Sequence, residues 1–188
     1  MAFVETRLNS VQTVQTVTLA VAEEFLDIYR SAFLSLERLA PARQALTDDE
    51  FMMEMRDERV LKFVCKDRAE DTIALGFMAA DLSVVPWISP PYYEARFPDH
   101  FARGAIYYFG SLLVRPDRQG GSWATMLLTE MSKRVMADSA IAAFDCCAYN
   151  VRVLRLPELI ATVGQRLGTV ETVELDSQQY FAYLFSEL

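Results

Sequence analysis

An apolar run from Ile106 to Val114 halts at Arg115-Pro116-Asp117, passes through Gln119-Gly120-Gly121-Ser122, and gives way at once to a helical pattern. No other stretch restricts the fold so far. The run predicts a buried strand. Trp123, Ala124, Leu127, Leu128, Met131 and Val135 then share one helical stripe, with Thr125, Thr129, Lys133 and Arg134 largely off it. Strand, glycine turn and helix N-terminus in succession collect free backbone N–H groups and the positive end of a helix dipole. Gly120 and Gly121 let the backbone turn tightly and approach a ligand with no Cβ between. The ligand chemistry this predicts is a phosphate or pyrophosphate. The competing reading is a Ser122 that caps an ordinary helix, with no ligand at all.

Two common phosphate loops do not fit. A P-loop needs Lys followed by Ser or Thr after its last glycine, and no Lys lies between Lys66 and Lys133. A dinucleotide fingerprint needs three spaced glycines, and only the adjacent Gly120 and Gly121 are present. The segment instead resembles the acetyl-CoA-binding motif of the GCN5-related N-acetyltransferase (GNAT) superfamily. That family's pattern is an apolar strand end, a proline, then Gln/Arg-x-x-Gly-x-Gly/Ala opening a helix. Here Leu112-Leu113-Val114 supplies the strand end and Pro116 the proline, and Gln119-Gly120-Gly121-Ser122-Trp123-Ala124 supplies the loop. Ser122 stands where the family usually has its central glycine. Its backbone N–H remains a donor, and its hydroxyl could add a donor or cap the helix.

The rest of the chain predicts a strand over Gln12 to Val21, a helix from Glu23 to Leu39 ended by Pro41, and a second helix from a Thr47–Glu50 capping box to about Arg59. Leu61 to Lys66 and Thr72 to Leu82 read as a hairpin, and Ala105 to Val114 as the next strand. After the Trp123 helix come a strand from Ile141 to Tyr149, a helix from Leu156 to Leu167 with Pro157 in its first turn, and a closing strand pair, Val170 to Leu175 and Tyr180 to Phe185. The order β-α-α-β-β-β-α-β-α-β-β is that of the GNAT-like acyl-CoA N-acyltransferase fold. The expectation is therefore one α/β (α+β) domain over residues 1–188, a central mixed, mostly antiparallel sheet flanked by helices. An aromatic and proline-rich insertion at about 83–104 does not fit a tight hairpin. Its four prolines argue against regular structure over most of it, while its aromatics argue that it packs. It reads either as a lid over a site or as the cover of a sheet edge or dimer contact.

The resemblance implies a chemistry. In the family the fourth and fifth strands splay, the thioester lies in the gap, and an amine attacks the acetyl carbonyl directly. The backbone amides of Gln119, Gly120, Gly121, Ser122, Trp123 and Ala124 would then hold the pyrophosphate, with Arg118 adding charge. The backbone N–H of Val114 or Leu113 would face the oxyanion, Leu112 and Val114 would wall the pantetheine, and Asn150 would contact it. The family's usual Tyr in the helix after the fifth strand is absent, since position 157 is Pro and no Tyr occurs between Tyr149 and Tyr180. No Asp or Glu lies on the fourth strand, where many members keep a base. His100, Tyr108 and Ser111 remain as proton-transfer candidates beside Asp81, Glu94 and Asp99, and water is an alternative carrier. Tyr92, Tyr93 and Glu94 are candidates for contact with the acceptor. Asp145 reads as a buried, hydrogen-bonded carboxylate in the fifth strand. The expected activity is acetyl-CoA-dependent N-acetyl transfer to a primary amine of a small molecule. The alternatives are a non-catalytic acyl-CoA binder or scaffold of the same fold, and an unrelated α/β domain for another phosphorylated ligand.

Composition limits the partners. The net charge of −8 argues against a nucleic-acid partner, which requires a cationic face, and is compatible with a cationic amine. Cys65, Cys146 and Cys147 are odd in number and lack metal-ligand spacing, so no metal is expected and they read as reduced core thiols of a cytoplasmic protein. The first residues lack the pattern of a signal peptide and no apolar run is long enough to span a membrane. A homodimer stays open.

Overall fold

The computed structural model describes residues 10–185. One sheet runs in the order β1 (Ser10–Val14), β2 (Val60–Lys66), β3 (Thr72–Ala79), β4 (Ile106–Val114), β5 (Ile141–Ala143). The first four strands are antiparallel to their neighbours and β5 joins β4 in parallel. The sheet is thus mixed and mostly antiparallel. Helices α1 (Leu19–Phe33) and α2 (Asp48–Arg56) cover one face. The other face is covered by α5 (Trp123–Ala137) and α7 (Leu156–Leu167).

The two α-helices of the first face start where local chemistry dictates. Thr18 is extended and its hydroxyl accepts from the Val21 N–H, so α1 begins at Leu19 and the expected strand to Val21 stops at Val14. Ala22, Phe25, Leu26, Ile28 and Tyr29 supply its buried stripe, and a separate 3-10 turn at Leu36–Arg38 replaces the expected continuation to Leu39. The Thr47–Glu50 box forms as predicted: Glu50 N–H donates to Thr47 Oγ1 at 3.3 Å and Thr47 N–H to Glu50 Oε2 at 2.7 Å. Phe51 and Met55 are 0% exposed beneath this helix. Each such side chain contributes about 1.5–3 kcal/mol of burial.

The insertion departs from expectation. Prolines 90 and 98 occupy first-turn positions of two short helices, α3 (Pro90–Arg96) and α4 (Pro98–Ala102), where a missing N–H is harmless. Its apolar residues form a third cluster against the start of β4 and β5, with Val85 and Tyr93 packed on Ile106, Tyr108 and Ala143.

The end of the chain departs further. β5 stops at Ala143, residues 144–147 form an irregular connection, and Ala148 and Tyr149 open α6 (Ala148–Arg152) instead of extending the strand. Residues 170–185 carry no strand pairing. Val170 rests on Gly164 and Leu175 on the third cluster, but Phe185 is 95% exposed. Alternating apolar character marks a chain able to bury one face, yet a strand also needs an edge to pair with. Cys65 is buried, and burial pushes its thiol up to about 11. Cys146 and Cys147 are free and only half-buried, in the connection after β5 rather than the core. Among the described residues no helix is long and apolar enough to cross a membrane.

Candidate active site

β4 and β5 pair only over Ile106↔Ile141, Tyr107↔Ala142 and Tyr108↔Ala143. Beyond Tyr108 the chain of β5 turns away, so the second half of β4 keeps one edge without a strand partner. Which backbone groups face that edge follows from alternation along the strand. Arg115 N–H donates to Ile73 O of β3 at 2.9 Å, so Leu113 N–H also points to β3, whereas Leu112 and Val114 point to the open edge. Of the two N–H groups expected for the oxyanion, geometry leaves Val114, and Leu112 joins it. The side chains of Leu112 and Val114 pack toward the α5 face.

The loop leads from this edge to the helix. Pro116–Arg118 forms a 3-10 turn, and Gly120 adopts φ +86°, a left-handed conformation that favours glycine. A Cβ on Gly121 would lie 2.8 Å from Trp123 Nε1, so glycine lets the indole pack against the loop. Ser122 sits at the N-cap position of α5 but its side chain makes no capping hydrogen bond. The first-turn N–H groups of Trp123, Ala124 and Thr125 therefore receive no acceptor from Ser122, which removes the main support for the plain-cap reading. Gln119 is exposed. Arg118 is held by Asp67 at 3.6 Å and Asp117 at 3.8 Å.

Asn150 lies on α6, not at a strand end, because β5 is short. Its Oδ1 is buried and finds no donor among the described residues. An orphaned acceptor of this kind fits a ligand amide N–H.

The other sequence candidates scatter. Tyr108, 1% exposed, donates its hydroxyl proton to Asp145 and accepts from Trp87 Nε1 at 3.3 Å. Burial and this carboxylate push the phenol above its usual range. Asp145 itself is exposed beyond the end of β5, correcting the buried-strand expectation, and also accepts from Trp87 at 3.2 Å. His100 is half-buried in α4. Tyr93 turns into the core, Tyr92 donates to Leu175 O at 3.2 Å, and Glu94 is exposed. Ser111 is half-buried near the Tyr29 hydroxyl, which accepts from Leu46 N–H at 2.9 Å.

One cluster escaped the sequence. Glu54 of α2 reaches the middle of β4, and burial raises its carboxyl to about 7 despite the nearby Lys62 charge. Lys62, 0% exposed on β2, donates to Gln15 O at 2.6 Å and Asp57 O at 2.7 Å, and burial lowers it to about 8. Glu54 follows Phe51 by one helical turn and precedes Met55, a buried-face position that could have flagged it.

Sheet order, splayed edge and loop together identify the architecture. The fold is that of the GNAT acetyltransferases. No protein-family model and no curated protein matches the chain by sequence. Solved acetyltransferase structures do match it. An aminoglycoside acetyltransferase from an uncultured soil metagenomic sample is 12% identical, with 93% of this chain and 99% of that chain covered and a TM-score of 0.53. A ribosomal-protein-alanine N-acetyltransferase from Brucella melitensis biovar Abortus 2308 is 13% identical, with 91% and 99% covered and a TM-score of 0.50.

Proposed function

We propose that the chain is an acetyl-CoA-dependent N-acetyltransferase that modifies a primary amine of a small molecule by direct attack on the thioester. The observation that carries this is the unpaired edge of β4 running straight into a loop and an uncapped helix N-terminus. An extended pantetheine suits the first and a pyrophosphate the second. Asn150 Oδ1 supplies the missing acceptor for a pantetheine amide. Val114 and Leu112 N–H groups are available for the thioester oxygen as charge develops there. Fold neighbours named for aminoglycoside and ribosomal-protein-alanine acetylation act on amines, and the net charge of −8 suits a cationic acceptor.

The non-catalytic acyl-CoA binder is favoured by one observation, Pro157 at the start of α7 where the family's Tyr is expected. Turnover separates the two. Calorimetric titration with acetyl-CoA, CoA and ATP tests the shared premise: micromolar binding of both CoA species and none of ATP is expected. Gly121→Glu drives a carboxylate into the phosphate seat and against Trp123, and should weaken CoA binding at least tenfold with an unchanged circular dichroism spectrum. Equal CoA affinity in a folded Gly121→Glu chain would remove the loop from the site.

A further inference from the structure

An alkylammonium cannot attack a carbonyl until it loses a proton, and β4 offers no carboxylate for the task. A carboxylate reaches it from α2 instead. Gly110 is a bulge: Phe77 pairs with Ser111 and Met78 with Phe109, leaving Gly110 without a partner on β3. It is also the one exposed residue of β4. A Cβ there would lie 4.0 Å from Glu54 Oε1, so glycine leaves the carboxylate uncovered on its strand side. Buried Phe51 and Met55 pin that turn of α2. No hydrogen bond ties the half-buried Glu54 carboxylate to another group among the described residues, which leaves its oxygens open to a proton donor. Leu112, whose N–H faces the open edge, is two residues further on, roughly 7 Å along the strand.

Resting on the acetyltransfer reading above, we infer that Glu54 takes the proton from the acceptor's ammonium group at the Gly110 bulge, with Lys62 as the positioning residue behind it. The ammonium proton passes to the Glu54 carboxylate directly or through one water. The freed nitrogen lone pair forms the C–N bond at the thioester carbonyl. The C–S bond breaks, the sulfur leaves with the bonding pair, and the second nitrogen proton ends on it. Glu54 then releases its proton to solvent. The groups around the carboxylate are Lys62 of β2, Asp57 beyond the end of α2 and Tyr29 of α1, and Lys62 is the cation among them. Its ammonium, fixed by two carbonyls, holds Glu54 ionisable near neutrality where an unaided buried carboxyl would stay protonated.

The test uses the full chain, acetyl-CoA and three acceptors (a polyamine, an amino sugar and an alanyl peptide), with thiol release followed from pH 5.5 to 9. Glu54→Gln should lower kcat/KM by about 10²–10⁴-fold and abolish the limb near pH 7, with CoA affinity by calorimetry within twofold of wild type. Glu54→Asp should retain the limb at reduced rate. Lys62→Met should move it to higher pH, a shift that loss of packing alone would not produce. A Glu54→Gln chain within threefold of wild-type kcat/KM, with the limb in place, overturns the assignment. So does a wild-type chain that binds CoA yet acetylates none of the acceptors, which leaves CoA binding standing. Absence of CoA binding refutes the acetyltransfer reading itself.

Discussion

Asn150 holds a buried oxygen with no hydrogen-bond donor among the described residues, and the packing around it does not explain it. Such groups persist when something outside the free chain completes them. For Asn150 the consequence is measurable. Asn150→Leu removes an unsatisfied acceptor and should raise the urea-derived stability of the free protein by about 1 kcal/mol. It should also weaken CoA binding about tenfold in calorimetry, because the ligand amide then loses its acceptor. A variant destabilised with unaltered CoA affinity would show that Asn150 serves the fold. The sequence named Asn150 through its motif, but on the wrong element, and it passed over Glu54 entirely. A lone acidic residue in a charged helix looks solvated until the sheet beneath it is known. Tyr93 errs the other way: an aromatic in a proline-rich insertion looked available for a ligand and turned into the core.

Elements whose limits depend on nearby residues matched their patterns best. α2 starts at its Thr47–Glu50 box, α7 spans Leu156–Leu167, and β2, β3 and β4 lie within a few residues of expectation. Thr47→Ala tests how much of α2 its cap supports. Loss of about 1 kcal/mol in urea unfolding is expected, with kcat/KM changed less than twofold because Phe51 and Met55 still pin the Glu54 turn. A larger loss of activity than of stability would mean that the cap also sets the carboxylate's position. The failures cluster where a partner was needed. β5 has three residues because the edge it joins is shared only to Tyr108, and residues 170–185 pair with no edge of the sheet. The insertion's prolines open helices rather than break them, because Pro at a helix start obeys a different rule from Pro inside one.

The half-buried Glu54 and the buried Lys62 beside it should be visible in the stability of the whole molecule. Glu54 in the folded chain keeps its proton to about 7, against 4.5 when unfolded, so the unfolded chain binds fewer protons between these values and stability falls as pH rises through them. Lys62 is lowered to about 8 from 10.5, so the unfolded chain binds more protons there and stability rises from 8 to 10.5. Their joint contribution has its minimum between pH 7 and 8. Urea midpoints across pH 4 to 10 should show the falling limb in wild type, on the order of 1–3 kcal/mol, and not in Glu54→Gln. Coincident profiles for the two proteins would refute a Glu54 that titrates near neutrality in the folded chain. At this scale the division between chain and fold has a physical cause. A strand ending in a glycine turn, a capping box and a helical stripe are decided by neighbours a few residues apart, and the order of elements follows from them. Where β5 leaves β4, that Glu54 lies against Gly110, and that Asn150 Oδ1 has no donor among the described residues are decided by contacts between residues distant in the chain. Pairing and desolvation are properties of the packed sheet, and they exist only once its layers have met.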